Sequence, residues 1–243
     1  MRVLITGASS GIGQALALAY LQQGAFVYAC GRCDEKLTNA LPKKHEQLTR
    51  LVFDVNDLTS IKDALQNHDA FDLVILNAGV CEYIDDALRF DSSCFARVVQ
   101  ANLIGVAHCL EVLLPKMRKG SQLGIMSSTV TLLPLSRAEA YGASKAGLDY
   151  LACVLAVDLA QHDISVSLIQ PGFVDTPLTQ KNTFPMPGII SSDKACAYIM
   201  RGLQKRQHTI RFPRRFVWVM MALAILPFSL WRRLATNMVR TNS

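Results

Sequence analysis

The chain has 243 residues, of which 51% are hydrophobic and 18% are charged, enough apolar material to fill a large folded core. This composition excludes a disordered chain, and 14 Gly with 9 Pro excludes a collagen-like or low-complexity fibre. We therefore predict one globular domain.

The formal charge of +6 is unevenly distributed along the chain. Eight of the 25 Lys and Arg residues lie from Lys205 onward, and no acidic residue follows Asp193. The preceding part is nearly neutral, so the excess belongs to an apolar, basic C-terminal segment. Such a segment indicates an anionic lipid surface or an acidic partner at least as readily as nucleic acid. No groove-reading motif accompanies the charge, and we predict no nucleic-acid partner.

Seven cysteines lie along the chain without the spacing of a disulfide framework, which favours a reducing compartment. Cys30 and Cys33 have the spacing of half a metal site, but no second pair or nearby His completes it, so we predict no metal. Val3-Leu4-Ile5 runs directly into a glycine-rich turn rather than extending into a signal peptide. We expect a cytoplasmic protein.

Short apolar runs alternate with longer amphipathic segments, which predicts the α/β class with a single doubly wound parallel sheet of Rossmann type and helices on both faces. The predicted strands are Arg2–Ile5, Phe26–Cys30, Leu48–Phe53, Leu73–Leu76, Gln122–Ser127 and Ser165–Ile169, with a last strand at Thr209 to Phe212. The predicted helices are Gly11–Gln23, Leu58–Gln66, Ser93–Met117, Tyr141–Gln161 and Ser192–Gln204. We divide the chain into a domain over 1–212, with a substrate loop at about 177–204, and a hydrophobic, basic helical extension over 213–243.

A glycine-rich segment from Thr6 to Gly13 joins the first strand to the first helix. Glycine lets the backbone turn tightly and approach a pyrophosphate, while the helix N-terminus directs free N–H groups at its negative charge. Three glycines could be a tight turn alone, but the strand before and the helix after favour dinucleotide binding.

The glycine spacing is G-x-x-x-G-x-G, and in this the sequence resembles the short-chain dehydrogenase/reductase family. The resemblance extends in the same order from residue 2 to about 176. Its further matches are Asp54-Val55, Asn77-Ala78-Gly79, Asn102, Ser128, Tyr141-x-x-x-Lys145, Pro171-Gly172 and Thr176.

Tyr141 and Lys145 are four residues apart and lie on one helical face, so we expect the ammonium to lower the tyrosine pKa. Alone this could be a surface pair, but Ser128 thirteen residues earlier, at a strand end, favours an active site. The same interval selects Ser128 over the adjacent Ser127.

The resemblance implies the catalytic roles. Tyr141 would give a proton to a carbonyl oxygen that Ser128 polarises, and Lys145 would hold the nicotinamide ribose and tune Tyr141. Asn102 would order a water in the proton relay. The cofactor supplies the hydride.

The end of the second strand bears on the choice of cofactor. An acid there would bind the ribose 2′-hydroxyl, whereas an Arg accommodates a 2′-phosphate. Gly31 stands where family members that use NAD typically carry Asp, and Arg32 follows it. Asp34 and Glu35 weaken the argument, yet we predict NADP(H) over NAD(H).

The resemblance places Asp54 at the adenine, Asn77 to Gly79 along the adenosine, and Thr176 at the carboxamide. The predicted cofactor-binding residues are Gly7, Ser9, Ser10, Gly11, Ile12, Gly13, Arg32, Asp54, Val55, Asn77, Ala78, Gly79, Tyr141, Lys145, Pro171, Gly172, Val174 and Thr176.

The segment from Pro177 to Ile190 is the expected cover of the substrate. Its apolar residues would form a pocket wall suited to a hydrophobic carbonyl compound. These wall residues are Leu178, Phe184, Met186 and Ile189.

The C-terminal segment has an uncharged stretch from Phe216 to Trp231 between two Arg pairs. This is shorter than the roughly 20 residues of a spanning helix, and Pro227 interrupts it. A second helix after Pro227 would place apolar residues on one face, namely Phe228, Trp231, Leu234 or Ala235, and Met238, with Arg232, Arg233 and Arg240 elsewhere. Two interpretations remain open, an anchor on the inner membrane face or a cover over the pocket and subunit interface.

The expected activity is NADPH-dependent reduction of an apolar ketone, aldehyde or 3-oxoacyl compound, or the reverse oxidation. Relatives commonly form dimers or tetramers, so we expect a homodimer or homotetramer through the helices near Ser93–Met117 and Tyr141–Gln161. The alternative is a cofactor-sensing binding protein on the same scaffold. The presence of Asn102, Ser128, Tyr141 and Lys145 together argues against it.

Overall fold

The computed structural model describes residues 1–182 and 184–240, with side chains described up to Thr236. In this part of the chain seven parallel strands form one sheet in the order β3-β2-β1-β4-β5-β6-β9, and β7 pairs with β8 beside it. The strands are β1 (Arg2–Thr6), β2 (Phe26–Gly31), β3 (Leu48–Val52), β4 (Phe71–Leu76), β5 (Met117–Met126), β6 (Ser165–Pro171), β7 (Val174–Asp175), β8 (Ile190–Ser191) and β9 (Thr209–Phe212).

Helices cover both faces of this sheet, which confirms the predicted fold class. They are α1 (Gly11–Gln22), α2 (Asp34–Ala40), α3 (Leu58–Leu65), α4 (Ser92–Val99), α5 (Gly105–Leu113), α6 (Glu139–Asp158), α7 (Ser192–Gln204), α8 (Arg214–Ala224) and α9 (Phe228–Arg240). The last strand, Thr209–Phe212, lies where the sequence placed it.

Alternating strand residues build two cores, one on each face of the sheet. Val3 and Ile5 of β1 pack with α1, α2 and α7 on one face. Leu4 packs with α3, α5 and α6 on the other. Because β1 pairs with β2 on one side and β4 on the other, the strand order reverses at β1. A crevice opens at the carboxyl ends of strands at such a reversal.

The prediction of one continuous helix over Ser93–Met117 is wrong, because the helix is interrupted and ends before Met117. A π-helical turn at Gln100–Ile104 interrupts it, and a 3-10 turn at Leu114–Lys116 follows α5. Pro115 lies in that last turn and cannot donate a helical hydrogen bond, so the helix ends there. Met117 instead begins β5 and pairs with Phe71 of β4.

Of two further helices, one was not predicted and the other was predicted with its observed bounds. Helix α2 was not predicted, because in its seven residues only Leu37 is buried and a single apolar position shows no periodicity. The helix predicted over Ser192–Gln204 is α7, with the same bounds, and it packs on α1. The part of the predicted substrate loop from 192 to 204 is therefore helical.

The C-terminal helices pack on the turn that follows β5. Trp231 is 5% exposed and its Nε1 donates to the carbonyl oxygen of Pro134 at 3.0 Å. The tail cluster of buried and partly buried residues around it is Leu132, Leu133, Leu135, Phe216, Met220, Leu223, Trp231 and Ala235.

The protein covers only part of the apolar face predicted for α9. Trp231 and Ala235 point into the tail cluster, whereas Phe228 and Leu234 are exposed. The side chains of Met238 and Arg240 lie outside the described residues. Apolar residues of α9 thus extend beyond the part of the helix that the protein covers.

Candidate active site

The glycine-rich turn brings β1, α1 and β4 into close approach. Gly7 has φ +69°, and a Cβ on it would come within 2.9 Å of the Cα of Ala78. A Cβ on Gly13 would lie 2.2 Å from the carbonyl oxygen of Gly7. No side chain fits at Gly13 without displacing α1, so this glycine fixes the start of the helix against the turn.

Hydrogen bonds join the carboxyl ends of β1 and β4. The Thr6 hydroxyl oxygen accepts from the backbone N–H groups of Asn77 at 2.9 Å and of Ala78 at 3.0 Å. The Asn77 side-chain amide donates to the Thr6 carbonyl oxygen at 3.0 Å. This seam holds the two strand ends at the point where the sheet order reverses.

A cleft of about 820 Å³ runs along this edge of the sheet, from Arg32 to Tyr141 and Lys145. The predicted site residues that line it are Gly7, Ser9, Ser10, Gly11, Ile12, Arg32, Asp54, Val55, Asn77, Ala78, Gly79, Ser128, Tyr141, Lys145, Pro171, Gly172, Val174 and Thr176. Gly13 and Asn102 are not among the lining residues. The lining also includes Thr6 of the glycine-rich segment and Pro177 and Thr179 of the predicted substrate loop. Further lining residues that the sequence analysis did not assign to the site include Cys33, Lys36, Val80 and Met126.

The residues of the cleft fit a dinucleotide. Helix α1 begins beside it without a side-chain cap on its first N–H groups and without an acidic residue in its first turn. These N–H groups and the positive end of the helix dipole suit a pyrophosphate. Gly11, with φ +55°, lets the backbone approach closely, since a Cβ there would lie 2.9 Å from Thr176 Cγ2.

The far end of the cleft contains Tyr141 and Lys145 from the first turns of α6. The Lys145 ammonium lies 5.7 Å from the centre of the Tyr141 ring and donates to the Met126 carbonyl oxygen at 2.8 Å. Burial lowers the pKa of Lys145 to about 8, and Cys81 and Asp149 act in the opposite direction.

We expected Lys145 to lower the pKa of Tyr141, but without a bound cofactor the pKa of Tyr141 is raised. Burial of the phenol raises the Tyr141 pKa, and Cys81 contributes in the same direction, while a hydrogen bond with the Ser128 hydroxyl lowers it. Tyr141 is therefore a neutral phenol at physiological pH, the form that can donate a proton.

Ser127 and Ser128 have different surroundings. Ser128 caps a 3-10 turn at Thr129–Leu132, and its hydroxyl oxygen accepts from Val130 N–H at 3.2 Å beside Tyr141. The buried Ser127 hydroxyl instead donates to the Asp149 carboxylate and to the Lys145 carbonyl oxygen at 3.3 Å. Ser128 is placed to meet a ligand, and Ser127 holds α6 against β5.

Asn102 lies fully buried in the π-helical turn. Its side-chain oxygen accepts from Val80 N–H at 2.7 Å, and its amide donates to the Val80 carbonyl oxygen at 2.9 Å and to the Ser144 hydroxyl at 3.0 Å. The side chain thus fastens the loop after β4 to α6. The water-ordering role of Asn102 stays a prediction.

The end of the cleft beside β2 carries two positive charges. Arg32 and Lys36 are both exposed and both line the cleft, Lys36 from the first turn of α2. The sequence analysis missed Lys36 because it missed the helix. Asp34 and Glu35 in the first turn were the available signal, since acidic residues favour a helix N-terminus.

Of the predicted wall residues, Leu178 lines the cleft. Phe184 packs edge-on against Tyr83, with ring centres 5.6 Å apart, and Ile189 is exposed. Met186 accepts a weak contact from the Asn182 amide. Among the described residues, no group of three or more His, Cys, Asp or Glu side chains could hold a metal ion.

Comparison with known proteins places the chain in a family. Residues 1–185 match the family described as short chain dehydrogenase. An uncharacterized oxidoreductase of Myxococcus xanthus is 34% identical over 220 residues, which cover 86% of each protein. A 3-oxoacyl-(acyl-carrier-protein) reductase of Thermotoga maritima is 35% identical over 191 residues, 73% of this chain and 76% of the relative.

Solved structures share the fold. A short chain dehydrogenase from Burkholderia cenocepacia in complex with NADP has a TM-score of 0.84 at 22% identity and covers 96% of both chains. A short chain dehydrogenase/reductase from Burkholderia phymatum in complex with NAD has a TM-score of 0.80 at 20% identity, over 90% of this chain and 91% of that one.

The chain belongs to the short-chain dehydrogenase/reductase family. It is an oxidoreductase of the class that interconverts alcohol and carbonyl groups. The family typically uses NAD(H) or NADP(H), and the two structures above hold one each.

The two adjacent serines provide a matched pair of variants. We expect Ser128→Ala to lower kcat about 100-fold, because a hydrogen-bond donor near a developing oxyanion has that magnitude. Its loss as the cap on Val130 N–H should lower the free energy of unfolding by only about 1 kcal/mol. Ser127→Ala should instead lower the free energy of unfolding by about 1–3 kcal/mol, because Asp149 loses a buried partner. Steady-state kinetics and urea unfolding of both variants check this. Equal effects on kcat would contradict the assignment.

Proposed function

We propose that the protein reduces an apolar carbonyl compound to the alcohol with NADPH, or catalyses the reverse oxidation. The observation that carries the proposal is the position of Tyr141, Ser128 and Lys145 at one end of the cleft that has the glycine-rich turn along its side. One cleft thus contains a dinucleotide cradle and a proton donor.

The protein's own groups would align the carbonyl and deliver a proton. The Ser128 hydroxyl donates to the carbonyl oxygen, and the neutral phenol of Tyr141 transfers its proton to that oxygen as negative charge develops there. The Lys145 ammonium, 5.7 Å from the ring centre, stabilises the resulting phenolate. A reduced nicotinamide, when bound, supplies the hydride that the carbonyl carbon accepts.

The class of substrate is proposed from the cleft wall and from one relative. Val80, Pro177 and Leu178 line the cleft with apolar surface, which favours a hydrophobic carbonyl compound. The Thermotoga maritima relative is named as a 3-oxoacyl-(acyl-carrier-protein) reductase, which supports including 3-oxoacyl thioesters beside simple ketones and aldehydes.

NADPH oxidation against such a panel tests the proposal. We expect turnover of at least one compound, and a fall of about 100- to 10,000-fold in Tyr141→Phe because the proton donor is lost. NADPH binding, followed by fluorescence, should persist in that variant. Tight NADPH binding by the wild type with no turnover anywhere on the panel would contradict the reductase and support a cofactor-sensing protein.

The preference for NADPH is proposed from Arg32 and Lys36. Two cations at the end of β2, where Gly31 presents no carboxylate, suit a ribose 2′-phosphate. Asp34 and Glu35, which weakened the argument from sequence, do not line the cleft.

We expect Arg32→Ala with Lys36→Ala to lower kcat/KM for NADPH by roughly 10- to 100-fold, through lost charge-assisted hydrogen bonds. The kcat/KM for NADH should stay the same. Lys119→Ala, which removes an exposed charge on β5, is the matched control. If the wild type preferred NADH, or if the variant lost kcat/KM equally with both cofactors, these residues would not recognise the 2′-phosphate.

The assembly state is part of the proposal. Tyr150, Val154 and Val157 are exposed on the outer side of α6, and an apolar helix face of this kind supports a homodimer or homotetramer through α5 and α6. Light scattering of the purified chain measures its mass in solution, and a monomer would contradict this part of the proposal.

A further inference from the structure

Helix α8 is apolar on the side that faces away from the protein. Val217 and Met220 are buried against the domain. On the opposite side, Trp218 is 73% exposed and Ile225 is 84% exposed, with Val219 and Met221 beside them. A helix at a protein–water boundary normally carries polar residues on its outer face. The outer face of α8 has none between Arg215 and Ile225.

Helix α9 extends this apolar surface. Phe228 is 66% exposed, and Leu230 and Leu234 are also exposed, while Trp231 holds the helix to the domain. We call the combined set the tail surface. It consists of Trp218, Val219, Met221, Ile225, Phe228, Leu230 and Leu234.

Four arginines border the tail surface. Arg214 and Arg215 begin α8, and Arg232 and Arg233 follow the start of α9. All four are exposed, and none forms an ion pair within the described part of the chain. The sequence has no acidic residue after Asp193 to neutralise them. The tail surface therefore combines exposed apolar side chains with uncompensated positive charge.

The geometry of α8 and α9 favours helices that lie on a membrane over helices that cross it. The axes of α8 and α9 meet at 119°, and an 11-residue helix is only about 17 Å long against a hydrocarbon core of about 30 Å. One other segment, Ser92–Lys116, is long and apolar enough to span, but its Val106 and Leu110 pack in the core beneath the sheet.

A second copy of the chain suits the tail surface poorly. A two-fold contact through this face would bring the four arginines of one copy towards those of the other, and like charges at an interface repel. Anionic lipid matches both features, since its acyl region accepts the apolar side chains and its phosphates accept the guanidinium groups.

We propose that the tail surface docks the protein on an anionic lipid bilayer, with α8 and α9 lying in the plane of the headgroups. The surface adjoins the substrate loop, because the Phe216 ring at the start of α8 packs on Phe173 at 5.6 Å, and Phe173 packs on Phe184. Docking thus holds the loop of the cleft close to the bilayer.

Flotation of the full-length protein with vesicles tests the proposal. One set of vesicles contains phosphatidylglycerol in phosphatidylcholine, and the other contains phosphatidylcholine alone. We expect binding to the anionic set, weakened by salt, and a roughly ten- to thirtyfold weaker affinity for Arg232→Gln with Arg233→Gln. The exposed pair Lys43→Gln with Lys44→Gln is the matched charge control and should bind like the wild type.

A second pair of variants tests the apolar contribution. Trp218→Ser with Ile225→Ser should also lose binding, whereas Leu88→Ser, at an exposed apolar site outside the tail surface, should not. Reductase activity without lipid should be the same in all these variants, which separates this test from that of the proposed function. The proposal would be overturned if the wild type did not float with the anionic vesicles, or if these pairs of variants bound as the wild type does. It would also be overturned if the wild type did not float and the variants lowered the mass measured by light scattering, since the surface would then join copies of the chain.

Discussion

The hydrogen-bonded seam between Thr6 and Asn77 is the constraint on which the site depends. After the carboxyl ends of β1 and β4, the chain continues into helices on opposite faces of the sheet. The Thr6 hydroxyl and the Asn77 amide hold these two ends together. Because Gly7 and Gly13 then allow α1 to start directly beside the seam, the helix N-terminus faces the cleft.

The opposite end of the cleft depends on buried polar groups that hold α6. Asp149 accepts from Ser127 and, at 2.6 Å, from the Gln170 amide, so a carboxylate one turn beyond Lys145 links α6 to β5 and β6. Burial makes Lys145 a weaker base and Tyr141 a weaker acid than in water. In the proposed mechanism, Tyr141 keeps its proton until negative charge develops on the substrate oxygen.

The sequence predicted the features that local rules determine. The alternation of apolar runs with amphipathic segments located the sheet, and the fixed spacing around Gly7 and Tyr141 located both ends of the cleft. Lys36 was missed because a seven-residue helix leaves almost no periodic signal. The π-helical turn that contains Asn102 was not predicted, and the Asn102 side chain bonds to Val80 and Ser144, which are 22 and 42 positions away in the sequence. The contact between Trp231 and the Pro134 carbonyl oxygen was not predictable from local patterns either, since the two residues are 97 positions apart in the sequence.

The pH dependence of NADPH-driven reduction tests the central claim most directly, that Tyr141 donates a proton beside a charged Lys145. Lys145 is protonated below a pKa of about 8 and neutral above it. Reduction should therefore show constant kcat/KM at lower pH and a fall as the pH rises through about 8, with a substrate found on the carbonyl panel. A kcat/KM that stays flat or rises through that range would contradict the account.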